Sequence, residues 1–248
     1  MTIPLIIFIS STFATFVGIM SGGGSSVITL PIFLSLGINL PLAVAIHKIA
    51  GFFCTPVSSY NYLKNRKIQW KFLLLFAFIG LIGTYFGVQF TIHLDQKILQ
   101  PIIGALILIL ISYVYIKKDL GLKEKTVKSK FKRALAYPVA LIMGFYEGII
   151  GSGNGVIFSA LTIKTRGFDF IDALGHYYAI AFFWVSFAAI LYIQKGFFDL
   201  NMAIACALGS TLGSYMGSKY GRYKGNKFIK SAFIIIGAIL GIKMIAGI

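Results

Sequence analysis

Two glycine-rich runs carry the first chemical signal in this sequence. Gly18-Ile-Met-Ser-Gly-Gly-Gly-Ser-Ser26 and Gly148-Ile-Ile-Gly-Ser-Gly-Asn-Gly155 each open a short apolar segment. Glycine lets backbone approach a ligand closely, and a helix starting there presents N–H groups with no intrahelical acceptor and a partial positive charge. Such helix ends favour anions. Ser21, Gly22, Gly23, Gly24 and Ser25 in the first run, with Gly151, Ser152, Gly153 and Asn154 in the second, are therefore candidate substrate-binding residues. A second reading, that the glycines only permit a tight bend or close helix packing, is weakened by their recurrence at equivalent positions.

Few ionisable side chains fall inside the apolar segments. Lys48 lies about six residues into one of them, and Glu147 stands one residue before the second glycine run. An ionisable residue within a membrane is a functional-site candidate by default. Lys48 could attract an anion, pair with Glu147, or snorkel to the interface. His47 and His176 titrate near neutral pH in ordinary surroundings, so both they and Glu147 are candidates for coupling proton movement to function, against structural hydrogen-bonding roles. His47 and Lys48 join the candidate substrate-binding residues, and so do Tyr177 and Tyr178, which stand at the equivalent places in the second half. Cys54 and Cys206 are far apart with no CxxC, which points to packing and not to a disulfide or a metal. The sequence holds no HExxH, no GxSxG, no nucleotide-binding loop and no paired intramembrane carboxylates, so neither an enzyme nor a cofactor is expected.

The elements that would position these residues are membrane helices. Of 248 residues, 58% are hydrophobic and 12% charged, about half the charge of a soluble domain. No Asp, Glu, Lys or Arg occurs from Met1 to His47. As one helix that stretch would run ~70 Å, about twice a hydrocarbon core. More than one element must absorb it. The first run lacks a basic n-region and a small-residue cleavage site, so it reads as retained structure and not as a signal peptide. The net charge of +16 sits mainly in short loops, which points to topology and not to nucleic acid.

An offset of 130 residues relates two halves. It places five of the ten glycines before Gly121 on glycine, where chance gives ~1.4, and matches Phe52 and Phe53 with Phe182 and Phe183 and Tyr62 with Tyr192. Each half reads as a glycine-broken hairpin followed by three longer helices: 3–20, 24–36, 42–63, 70–92 and 98–117, then 134–149, 155–165, 172–194, 200–219 and 228–247. Gly83-x3-Gly87 and Gly209-x3-Gly213-x3-Gly217 have the spacing of close helix packing. The loops 64–71, 117–133, 164–166 and 219–230 hold 19 of the 23 Lys and Arg residues. Basic loops face the cytoplasm, so these four share the inner side and both termini lie outside. Equivalent loops then face opposite sides. The expected fold is all-α and polytopic, with 8 to 10 membrane helices in two inverted-topology repeats, 1–118 and 133–248, joined by a cytoplasmic basic linker at 119–132. Such a build is recurrent in secondary transporters, whose sites lie near the midplane at the repeat interface.

The duplicated break followed by Pro31, together with Ala45-Ile-His-Lys-Ile49, resembles the TauE/SafE (TSUP) group of membrane anion transporters over nearly the whole chain. One branch of that group has a polar residue and a lysine where this chain has His47 and Lys48. The second half departs from the pattern at Asn154, Tyr177 and Tyr178, which implies one retained cation where a family site could use two. The resemblance implies a secondary transporter for a small anion, such as sulfite, an organosulfonate or a related carboxylate, in the cell membrane. A passive anion channel, or a permease for an unrelated solute, is the alternative. The expected partners are the anion, the bilayer and coupling protons, with no nucleic acid and no oligomeric state assigned.

Overall fold

A computed structural model describes residues 2–22, 24–91 and 96–246, which leaves the candidate Gly23 outside the described residues. Ten helices and no strand occur among the described residues: α1 Thr2–Ser21, α2 Ser25–Ser35, α3 Leu40–Leu63, α4 Trp70–Thr91, α5 Gln96–Ile116, α6 Lys130–Ala134, α7 Ala136–Ile149, α8 Asn154–Thr165, α9 Phe170–Gln194 and α10 Leu200–Ala246. Five are long and apolar enough to cross a membrane. Large apolar side chains such as Phe78, Ile109, Ile142 and Leu208 point outward, as lipid-facing surface requires. This is a polytopic all-α membrane protein.

Local chemistry sets the boundaries. Asn39 caps α3 by accepting from the Leu42 amide at 3.0 Å, and Asp169 caps α9 by accepting from the Asp172 amide at 2.8 Å. The two caps are 130 residues apart, so the same start signal is written twice. In the second break Gly151 and Gly153 both take positive φ, 78°, a conformation glycine adopts without a Cβ penalty. At Gly225 (φ 79°, ψ −178°) the backbone leaves helical geometry and divides α10 into two arms, 200–224 and 226–246. The sequence places a loop at 219–230. The structure has helix on both sides of one glycine, because the Lys and Arg residues there are good helix formers. The basic linker likewise forms the short α6, with Ser129 as its cap.

Small residues bring the helices together. Gly209, Gly213 and Gly217 lie against the backbone of Phe8, Thr12 and Phe16, so the first arm of α10 runs parallel to α1. Gly80 lies against Gly144, and Gly83 and Gly87 meet the backbone at Leu141 and Phe145, so α4 runs parallel to α7. Between them α3 and α9 cross antiparallel, with Gly51 on Val185 and the Ser59 hydroxyl donating to the Gly175 carbonyl at 3.0 Å. The second arm of α10 runs antiparallel to α5, with Gly237 on Ile111 and Gly241 on Leu108. The small-residue spacing therefore works as backbone-to-backbone packing.

Candidate functional site

The two glycine breaks meet inside the molecule. Neither Gly22 nor Gly155 has room for a Cβ, since each would run into the other's backbone. The Ser26 and Ser152 hydroxyls are 2.5 Å apart across the same contact. Ser21 closes α1 with its hydroxyl on the Gly18 carbonyl at 3.1 Å, Gly24 is the N-cap of α2, and Gly153 is the N-cap of α8. The Ser152 carbonyl accepts from the Tyr146 phenol at 2.8 Å.

Lys48 does not snorkel. It is 1% exposed and spends its ammonium on the ends of α7: Glu147 Oε1 at 2.7 Å, the Glu147 carbonyl, and the Ile150 carbonyl at 3.1 Å. Three donors meet three acceptors, so of the readings open for Lys48 the ion pair with Glu147 is the arrangement present. The remaining carboxylate oxygen, Oε2, accepts from Asn154 Nδ2 at 2.8 Å and lies 3.4 Å from the Tyr177 hydroxyl. A cation at a helix C-terminus has the sign the helix dipole favours.

The counterpart of Lys48 does the same work on the other broken helix. Tyr178 donates to the Ile19 carbonyl at 3.0 Å near the end of α1, and Tyr62, stacked on it at 6.2 Å, donates to the same oxygen at 3.2 Å. Tyr192, the repeat equivalent of Tyr62, donates to the Gly148 carbonyl at 3.1 Å near the end of α7. Carbonyls orphaned by each break are thus satisfied from α3 and α9. The helix ends that carry partial negative charge are capped, and the breaks turn the starts of α2 and α8 toward each other.

A cavity of about 50 Å³ lies beside this contact, walled by both halves. Of the residues singled out in the sequence, Ser25, His47, Glu147, Gly151, Tyr177 and Tyr178 line it. Sequence reasoning missed Thr15, Ser26, Cys54, Thr55 and Ser210, which also line it. Ser26 closes the first glycine run and could have been included, but Thr15 and Ser210 carry no local signal beyond being hydroxyls within apolar helices. The Thr15 hydroxyl is buried with no partner. His47 is held by Thr29, whose hydroxyl lies 3.3 Å from Nδ1.

His176 lies elsewhere. It is fully buried against Phe168, with Nε2 accepting from the Gln69 amide at 3.0 Å and Nδ1 donating to the Asp172 carbonyl at 2.7 Å. Around it the basic loops gather at one end of the molecule. Arg66 reaches Asp169 and Asp172, each at 2.8 Å, and Asn226 at the α10 kink donates to Asp169 at 2.8 Å and to the Leu122 carbonyl at 3.1 Å. The linker docks on this cluster, with the Lys125 amide donating to the Gly167 carbonyl at 2.7 Å. Burial opposes the Arg66 charge, but the hydrogen bonds to Asp172 and Asp169 outweigh it and raise its pKa above the ordinary value. Arg66, Asp169 and Asp172 escaped notice in the sequence because charges in loops read as solvated.

Comparison with known proteins decides the family. The model of the sulfite exporter TauE/SafE family matches residues 7–244. The chain belongs to that family. It is 25% identical to the probable membrane transporter protein ORF9 of a Sinorhizobium species, over 97% of this chain and 91% of that one. It is equally 25% identical to a probable membrane transporter protein of Haemophilus influenzae, over 97% and 93%, and 21% identical to YfcA of Escherichia coli K12, over 97% and 88%. No solved structure matches it. This TauE/SafE member is accordingly a multi-pass membrane protein with a general transport role, and not an enzyme.

Proposed function

We propose that this protein is a secondary transporter for a small anion, working by alternating access between two inverted halves with the central cavity as its substrate site. The observation that carries the reading is the cavity's position, where the two breaks meet and both halves contribute wall. Its volume leaves room for about four water-sized groups, the scale of a compact oxyanion such as sulfite or the head of a sulfonate or carboxylate. Hydroxyl donors on Thr15, Ser25, Ser26 and Ser210 suit oxygen acceptors, and the starts of α2 and α8 add favourable dipoles.

Inversion of the halves is supported by two kinds of contact. Helices matched by the repeat and in contact, α3 with α9 and α5 with the second arm of α10, run antiparallel. Helix pairs exchanged by the repeat, α1 with the first arm of α10 and α7 with α4, both run parallel. A two-fold axis in the membrane plane requires both patterns. With basic loops inside, the cluster around Arg66 faces the cytoplasm and the termini face outward across the cytoplasmic membrane.

Purified protein in liposomes tests the reading. Sulfite, isethionate and acetate, offered one at a time as labelled ions, should show saturable flux for at least one of them that Ser26→Phe, which fills the cavity, abolishes. Absence of protein-dependent flux for all three, or full flux in the filled variant, overturns it.

A further inference from the structure

We propose that Glu147 is a built-in stand-in for the transported anion: loading passes Lys48 from the Glu147 carboxylate to the substrate, and Glu147 takes up one proton as it is released. This deepens the reading of the cavity as an anion site and rests on it.

Charge placement motivates the exchange. Glu147 lines the cavity, whereas Lys48 is not among the lining residues and its ammonium is already saturated by Glu147 and the α7 carbonyls. An arriving anion therefore finds the acidic residue in the wall and the cation already engaged by it. Two like charges in one buried site cannot both persist without a compensating charge. Nor does the wall supply a second fixed cation: the groups facing Glu147 are Lys48 from α3, Asn154 from α8 and Tyr177 from α9, and Lys48 alone among them carries charge. The other titratable groups nearby are occupied or neutral. His47 is engaged with Thr29, Tyr146 donates to Ser152, the Tyr192 hydroxyl lies within hydrogen-bond distance of Thr91 and the Gly148 carbonyl, and the Cys54 thiol sits on the Gly51 carbonyl. A proton on Glu147 removes the repulsion and frees the third Lys48 donor.

The geometry lets the exchange occur with little motion. Lys48 keeps its two carbonyl bonds while one donor swings from Oε1 to the substrate, and Oε1, vacated by that donor, is the oxygen open to a proton while Oε2 stays held by Asn154 near Tyr177. The unpartnered Thr15 hydroxyl offers a further donor to an oxygen in the cavity. Release reverses the sequence: the anion leaves Lys48, Glu147 gives up its proton on the same side, and the ion pair closes again. A monoanion then moves together with one proton, with no net charge translocated.

Liposomes holding a potassium diffusion potential test this on the unmodified protein with sulfite, isethionate and acetate. For each anion that moves as a monoanion, the flux should be indifferent to voltage, and isethionate, which carries no exchangeable proton of its own, should acidify the lumen one proton per ion. Isethionate affinity should rise up to tenfold per unit fall in pH in the unmodified protein and stay flat in Glu147→Gln, whose flux becomes voltage-driven and proton-free. Anion flux in the unmodified protein that follows voltage and leaves luminal pH unchanged overturns the exchange while leaving the transporter reading intact. No flux for any of the three removes both.

Discussion

At the scale of single residues, the buried Lys48–Glu147 pair ties α3 to the end of α7 and is exposed to the usual asymmetry of such pairs. Removing one partner strands a charge, whereas removing both with apolar groups does not. Lys48→Met should therefore lower stability by ~3–5 kcal/mol, and Lys48→Met with Glu147→Leu should recover most of that loss without restoring anion flux. Urea unfolding of both proteins in detergent checks it, and a double variant no more stable than the single one would mean that the lost packing, not the stranded carboxylate, sets the cost. Tyr178 occupies the equivalent place but carries no charge, and the Ile19 carbonyl keeps Tyr62 when the Tyr178 hydroxyl is lost. Tyr178→Phe should cost only ~1 kcal/mol in the same assay. A loss as large as that of Lys48→Met would show that the two capping residues are not supported in the way their hydrogen bonds suggest.

At the scale of elements, the contact between the breaks depends on glycine where no side chain fits. Gly155→Ala places a methyl group against the Gly22 carbonyl, so the starts of α2 and α8 must part. The expected result is a loss of ~1–3 kcal/mol from overpacking, intact membrane insertion, and abolished flux. Wild-type flux in that variant would detach transport from the meeting of the breaks. These elements were largely legible in advance because apolar runs, caps and glycines are local signals. Helix ends fall within a few residues of those read from the sequence, and the duplicated Asn39 and Asp169 caps follow the same offset as the glycines. What the sequence hid is long-range or conditional. Lys48 and Glu147 are 99 residues apart, so charge alone could not choose between pairing and snorkelling. His176 has the type of a coupling residue, but its partners, Gln69 and Asp172, turn both ring nitrogens to backbone. The 219–230 run reads as a loop by charge, although a single glycine suffices to turn the chain.

At the scale of the whole molecule, one end carries a charged tie between the two halves. At the basic end Arg66 joins the α3–α4 loop of one half to the start of α9 in the other, through three bonds to Asp169 and Asp172. The offset maps Arg66 onto Gly196, Asp169 onto Asn39 and Asp172 onto Leu42, so the repeat-equivalent positions carry no charged pair. Along α3 and the loop after it, Tyr62 falls between the cavity-lining Thr55 and Arg66, and its ring stacks on that of Tyr178 in the cavity wall, forming a tyrosine layer. If the halves rock about the cavity, the tie biases the resting protein toward closure at the basic end, and cutting it shifts the population toward opening there. Arg66 is 28% exposed, so screening discounts the tie, and about 1.4 kcal/mol is a reasonable bias for its charge-assisted bonds. That bias corresponds to about a tenfold change in the open population. A Ser26→Cys reporter in a protein lacking Cys54 and Cys206, reconstituted in vesicles with the basic end outward, reads this directly. Adding Arg66→Ala should raise its labelling rate by an impermeant thiol reagent about tenfold, while labelling from the opposite face falls or stays level. Equal rates with and without Arg66 would leave the tie as a structural staple and place the gate in the tyrosine layer instead.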